Sequence, residues 1–315
     1  MSAPDPRPAP DAPELPAGPA WFAHRVGDAP PIRDARGIDP DRRLGIVDPA
    51  TGAFVSIGAH DEVARLATGG LSAEELTSLL RAGTPLDPAS IRFDVPVARP
   101  SKILCLGKNF AAHAAEFGAA VPDEPLFFTK LVDTLLPHGG TVLLPHWVDS
   151  RIDHEIELGV ILGFDDPEAR GRRDVSVDAA MDLVAGYTIL DDVTARRMQG
   201  DDRGAQKPWL RCKSFDTFCP IGPWVVPKGA IDPHDLAIDL WVGDEHRQSS
   251  HTAKMVVDVP HAIAWLSKHT TLRPGDLIAM GTPEGVGPLR EGDRCVGRIE
   301  GIGLLVHDVA RGSPG

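Results

Sequence analysis

The pattern of apolar and polar positions changes character several times along the chain. The first twenty residues, MSAPDPRPAPDAPELPAGPA, carry a proline every few positions and no apolar run. Such a stretch has little to bury and cannot build a hydrogen-bonded element, so an unstructured tail over 1–20 is expected. From Leu44 two strand-like pieces, LGIVD and AFVSIG, flank PATG, a turn signal that predicts a hairpin. LSAEELTSLLRAG follows, with apolar residues at helical spacing, Ser72 ahead of a Glu-rich first turn and Gly83 at its end, the marks of a capped helix. The prolines of DVPVARPSK then divide a small β-rich N-terminal domain, 21–98, from a larger catalytic-size domain, 99–312.

Beyond residue 99 short apolar runs alternate with Gly and Pro: KILCLG, LFFTK, TVLLP, IELGVILG, LVAGYTILDDV, GPWVVP, AIDLWVG, DLIAMG and RCVGRI. These read as strands, and DVPHAIAWLSKH is the clearest helix. Runs of strands with few intervening helices predict a β-rich α+β core and argue against a doubly wound parallel sheet.

Composition narrows the function. The 315 residues carry a formal charge of −13, which disfavours nucleic acid and anionic membranes as partners, since both are bound through clustered Lys and Arg. An acidic substrate would need local cations or a metal ion. No run approaches the length of a membrane span, and no signal-peptide pattern opens the chain. Four cysteines without CxxC spacing give no disulfide framework, so a cytoplasmic protein is expected.

Three stretches carry candidate chemistry. In DHEIELGVILG, Glu155 and Glu157 stand at i and i+2 and share one strand face. An E-x-E pair is more often a solvated face, but here the run that follows is continuously apolar, as in a buried strand. Two buried carboxylates on one face call for a cation, and oxygen ligands suit Mg²⁺ or Mn²⁺, with Ca²⁺ a further candidate. In GYTILDDVTARRMQ, Asp191 and Asp192 close an apolar strand and point to opposite faces, so only one should reach that ion. In GKNFAAHAAEFG, His113 and Glu116 meet at i and i+3 if the segment is helical, a carboxylate-oriented imidazole suited to drawing a proton from water. HxxE on an Ala-rich helix is more often a surface pair. Lys213, set among aromatic and apolar neighbours, needs an anionic partner, and the GTPEGVG segment reads as a tight turn whose amides and Thr282 hydroxyl face an anion.

Taken in order, these pieces resemble the fumarylacetoacetate hydrolase family over residues 100 to 310. KILCLGKNFAAHAAE is similar to its K-I-x-C-x-G-x-N-Y-x-x-H-x-x-E opening, DHEIELGVILG to its D-x-E-x-E-L-x-x-x-x-G strand, and LDDVTARRMQ to its N-D-x-[ST]-A-R-D-x-Q segment. KSFDTFCPIGP, GDLIAMGTPEGVG and IEGIGLLVHDV complete the series. The resemblance implies a mixed β-sheet roll, usually a homodimer, with Glu155, Glu157 and Asp192 as metal ligands and Lys213 as a substrate-binding cation. It also implies His113 and Glu116 as a catalytic dyad on a lid-like segment, and Gln199 and Thr282 as substrate contacts. Phe110, Asp191 and Arg197 depart from the pattern, where Tyr, Asn and Asp are usual.

The function expected is metal-dependent hydrolysis of a carbon–carbon bond in a 2,4-dioxo acid through a metal-held enolate, with a small anionic 2-oxo acid as the ligand. The same chemistry serves a decarboxylase, hydratase or isomerase. A non-catalytic metal-stabilised binding module is the alternative of another class. An oxygenase centre on His146, His154 and Glu155 is disfavoured because His154 and Glu155 point to opposite strand faces.

Overall fold

The computed structural model describes residues 14–26, 41–59, 70–97, 100–166 and 171–313. The expected hairpin forms: Arg42–Asp48 and Ala53–Ala59 pair antiparallel around the turn. They belong to a five-stranded antiparallel sheet in the order Thr84–Pro85, Ala53–Ala59, Arg42–Asp48, Ala20–Arg25, Arg92–Asp94. The helix Ala73–Ala82 lies against it and starts as the sequence predicts. Ser72 accepts from the Glu75 amide, and the Glu75 carboxylate accepts the Ser72 N–H at 2.9 Å.

The expected tail ends earlier than residue 20. Residues 1–13 lie outside the described residues, but Glu14 pairs with Arg298, Ala17 N donates to Gly301 O at 2.8 Å, and Leu15 packs on the main core. One leucine and one charged anchor suffice to dock an extended segment that lacks secondary structure. The division expected at 98/99 falls on residues outside those described.

The larger part is built on two large sheets and a two-stranded ribbon, Ile152–Asp153 with Thr194–Ala195, as the strand-rich reading requires. The first is mixed and eight-stranded. Its main path runs Leu126–Lys130, Ile103–Gly107, Leu277–Ala279, Ile156–Leu162, Val184–Asp191, Cys219–Ile221, Leu135–Pro137, and Val226–Pro227 also pairs with Val184–Asp191. Two of its pairings are parallel, Leu277–Ala279 with Ile103–Gly107 and Cys219–Ile221 with Leu135–Pro137. The second sheet runs Glu245–His251, Ala237–Val242, Arg294–Ile299, Gly303–Arg311, Thr141–Leu144. Gly297 permits the close approach of the two, because a Cβ there would overlap Ile156 Cδ1.

Ile156–Leu162 and Val184–Asp191 are buried at every position, which is why they read as continuous apolar runs rather than alternating ones. Their core extends through Phe22 and Val47 of the five-stranded sheet. There Phe22 meets Trp224 edge-on, with ring centroids 5.6 Å apart, and Trp21 bridges to Val225. The helix Val259–His269 forms as expected, capped by Asp258. All four cysteines are buried free thiols. Among the described residues no helix is long and apolar enough to cross a membrane.

Candidate active site

The site grows from the two central strands. They pair antiparallel with Ile156 opposite Asp191 and Glu157 opposite Leu190, and the ladder runs one step further, where Asp192 N donates to Glu155 O at 2.8 Å. That register sets Asp192 beside the two glutamates. One carboxylate oxygen from each of Glu155, Glu157 and Asp192 lies within 4.8 Å of the others, and all three residues are buried. Asp191 turns the other way, as strand alternation demands: it accepts the Glu155 N–H at 2.6 Å and faces His307 Nε2 at 2.8 Å.

Three cations balance these acids. Lys213 Nζ donates to Glu155 at 2.7 Å and to Asp192 at 2.5 Å, and Lys130 Nζ takes the second Asp192 oxygen at 2.7 Å. Arg196 bonds Glu155 and reaches Asp153 at 2.8 Å, which Arg151 holds from its other oxygen. Burial alone would raise the Glu155 carboxyl, but Lys213 and Arg196 outweigh it and hold the group below the usual carboxylate range. At Glu157 the balance reverses. Burial, together with the charges of Asp192 and Glu155, pushes this carboxyl well above its ordinary value, against only Lys213 and the Gly281 N–H at 2.7 Å. Three buried oxygen donors, one of them short of positive charge, fit a hard divalent cation such as Mg²⁺ or Mn²⁺.

Across the cavity, Ala111–Glu116 is helical, so the His113–Glu116 spacing works: His113 Nδ1 lies 3.1 Å from Glu116 Oε2. The second Glu116 oxygen accepts the Gly285 N–H at 2.8 Å. The amides of GTPEGVG therefore serve carboxylates of the protein itself, Gly281 to Glu157 and Gly285 to Glu116. Gly281 adopts φ 88°, with Asn109 pressed where a Cβ would stand.

A cavity of about 150 Å³ joins the two halves. His113, Glu155, Glu157, Asp192, Gln199, Lys213 and Thr282 all face it, and Glu116 stands behind His113. Gln199 and Thr282, the two expected substrate contacts, also have partners within the protein. Gln199 accepts from Arg196 at 2.8 Å, and Thr282 Oγ1 accepts from Gln248 at 2.8 Å. Lys213 is only 1% exposed and spends its ammonium on the carboxylates. His146 is exposed and His154 turns its Nδ1 to Gln248 at 3.0 Å, so neither approaches the cluster. It is the one group of three or more such ligands close enough for a metal among the described residues.

Sequence reasoning missed Lys130, Arg196 and Asp153. Lys130 ends LFFTK, where a charge after an apolar run signals either a buried partner or a strand end. Arg196 and Asp153 stood inside recognised motifs without a role.

The fumarylacetoacetate (FAA) hydrolase C-terminal family model matches residues 102–310. The chain belongs to the fumarylacetoacetate hydrolase family. It is 42% identical over 212 residues to the mitochondrial oxaloacetate tautomerase FAHD1 of Arabidopsis thaliana, covering 67% of this chain and 92% of that protein. The 5-carboxymethyl-2-hydroxymuconate delta-isomerase structure from Mycobacterium smegmatis is similar at TM-score 0.71 and 30% identity, over 94% of this chain and all of that one. The maleylpyruvate hydrolase of Sphingobium sp. SYK-6, in complex with manganese (II) ion and pyruvate, is similar at TM-score 0.72 and 30% identity, over 93% of this chain and 100% of that one. Members of the fumarylacetoacetate hydrolase family thus include tautomerases, isomerases and hydrolases, on the β-rich mixed-sheet fold this chain adopts.

Proposed function

We propose that this chain is a divalent-metal-dependent hydrolase that cleaves a carbon–carbon bond in a 2,4-dioxo acid to give pyruvate and a carboxylic acid. The observation that carries the reading is that an oriented His–Glu pair and a buried three-carboxylate cluster face one cavity. A divalent ion held by Glu155, Glu157 and Asp192 would supply positive charge beside the 2-oxo group of the substrate.

The chain's own residues then divide the work. Glu116 accepts the Nδ1–H of His113, which leaves Nε2 unprotonated and able to take a proton from water. Gly285 holds Glu116 from its other side, so the imidazole cannot swing. Hydroxide adds to the C4 carbonyl, the C3–C4 bond breaks, and its electron pair remains on C3. His113 returns the proton there, so one water is consumed and pyruvate and the acid are released. Arg196 and Gln199 offer donors for the substrate carboxylate at the cavity floor.

A second reading is keto–enol tautomerisation of oxaloacetate, favoured by the 42% identical tautomerase; it would use His113 as a proton carrier at C3. Pyruvate release from 2,4-dioxo acids with Mn²⁺, Mg²⁺ or EDTA, and decay of the enol absorbance of oxaloacetate, separate the two. Metal-dependent pyruvate release that His113→Asn lowers by about 10²–10⁴ supports the hydrolase. Enol decay without pyruvate release from any dioxo acid supports the tautomerase. A homodimer is part of the proposal, with the exposed apolar side chains Leu131, Leu143 and Trp147 offering surface for it, and sedimentation velocity checks it.

A further inference from the structure

Gln248 is the one buried position of the edge strand Glu245–His251, whose other side chains are half-buried or exposed. A polar residue in that place must have its hydrogen bonds met within the protein. The ladder slips beside it: Leu240 lies opposite Gln248 and Trp241 opposite His246, so Arg247 is an extra, bulged residue. A bulge re-aims the neighbouring side chain, and this one brings the strand against the GTPEGVG turn. The approach is so close that Gly285, at φ 97°, has no room for a Cβ, which would overlap the Arg247 carbonyl oxygen.

The Gln248 amide is saturated. Its oxygen accepts the Ile156 N–H at 3.2 Å and lies 3.0 Å from His154 Nδ1, while its nitrogen donates to Thr282 Oγ1 at 2.8 Å and to Pro283 O at 2.9 Å. A backbone N–H can only donate and a carbonyl can only accept, so Ile156 and Pro283 fix which end of the amide is which. Thr282 Oγ1 must therefore accept from Gln248, and its own proton is left for another acceptor. None stands within hydrogen-bond distance among the described residues, and Thr282 faces the cavity. The same side chain joins both halves of the site. Ile156 sits between Glu155 and Glu157, and Gly281, next to Thr282, gives its N–H to Glu157 at 2.7 Å. A hydroxyl held in this way is a donor before any ligand arrives, so binding need not reorient it.

We infer that Gln248, which does not itself line the cavity, is a positioning residue that fixes the Thr282 hydroxyl as a donor to an anionic oxygen of the 2-oxo acid. The inference rests on the proposed reading of the cavity as a 2-oxo acid site. Gln248 acts through Thr282, so its effect on ligand affinity exists only while that hydroxyl is present.

The test titrates pyruvate calorimetrically into the full chain saturated with Mn²⁺, with binding of the ion measured first for each variant. Thr282→Val should weaken pyruvate about tenfold or more, the loss of a hydrogen bond to a charged group, whereas Thr282→Ser should stay within about threefold of wild type. Gln248→Met should weaken pyruvate at least about fivefold in the wild-type background and less than about twofold in the Thr282→Val background. Gln248→Glu is the second variant. It keeps an acceptor for the Ile156 N–H but offers Thr282 an acceptor in place of a donor, so the hydroxyl proton turns from the cavity and the loss should match that of Thr282→Val. A residue that only supports the fold would weaken pyruvate by the same factor in both backgrounds. That result, or Gln248 variants that bind pyruvate as wild type does, overturns the inference alone. If wild type binds Mn²⁺ but not pyruvate, the 2-oxo acid reading falls and the role of Gln248 with it.

Discussion

Lys130 and Lys213 grip opposite oxygens of one buried carboxylate, Asp192, at 2.7 and 2.5 Å. Lys130 also donates to the carbonyl of Lys213 at 2.5 Å, so the two lysines are tied through the backbone as well as through the shared aspartate. Lys130 thus comes from the edge strand of the large sheet to fix a residue at the sheet's centre. Its replacement by Met keeps the bulk and removes the charge. Breaking a buried ion pair by removing one partner costs up to about 3–5 kcal/mol, and because Lys213 still holds the other Asp192 oxygen the loss here should lie at the low end of that range. Urea unfolding of metal-free Lys130→Met should show a loss of that order, and a midpoint equal to wild type would remove Lys130 from the site's support.

Glu157→Gln should act in opposite directions on the two states of the protein. Without metal the change removes a charge crowded by Asp192 and Glu155, so thermal stability should hold or rise. With Mn²⁺ at about one hundred times its Kd, wild type should gain about 2.7 kcal/mol, and most of that gain should vanish in the variant. Differential scanning fluorimetry with and without Mn²⁺ reads both effects. Equal Mn²⁺ shifts in the two proteins would take Glu157 out of the ligand set.

The Asp191–His307 pair makes stability depend on pH. Burial works against a charged imidazole, but the Cys295 sulfur and the Asp191 carboxylate outweigh it and push His307 up to about 10. A folded-state value above the unfolded one, about 6.5, means the folded protein holds the extra proton. The contribution is therefore complete below about pH 6.5 and decays as pH rises toward 10. The stability difference between wild type and His307→Asn should shrink across that window. A difference constant from pH 6 to 10.5 would show that His307 is neutral in the fold.

Much of this was legible in the sequence because it is local. The capping box at Ser72 and Glu75, the hairpin around PATG, and the shared face of Glu155 and Glu157 follow from spacings of a few residues. The Asp191/Asp192 alternation sends one residue to the cluster and the other to His307. Long-range pairing was not legible. Lys130 meets Asp192 across 62 positions, and nothing in LFFTK distinguishes a lysine aimed into the sheet from one that snorkels out of it. Residues 14–19 were misjudged for the related reason that composition reports missing secondary structure and not the docking surface waiting on Arg298 and Gly301.

The two halves of the cavity are anchored unequally. Glu157 stands on, and Glu155 and Asp192 directly adjoin, two paired strands of the buried sheet, whereas His113 rides on a six-residue helix tied to the far loop through Glu116 and Gly285. Short elements with few buried contacts open at lower free energy than core strands. Mild heat or low denaturant should therefore displace the imidazole before the sheet yields, passing through a species in which the three-carboxylate cluster is intact and His113 is not. On the proposed function, inactivation would then begin as a failure of aim rather than of folding.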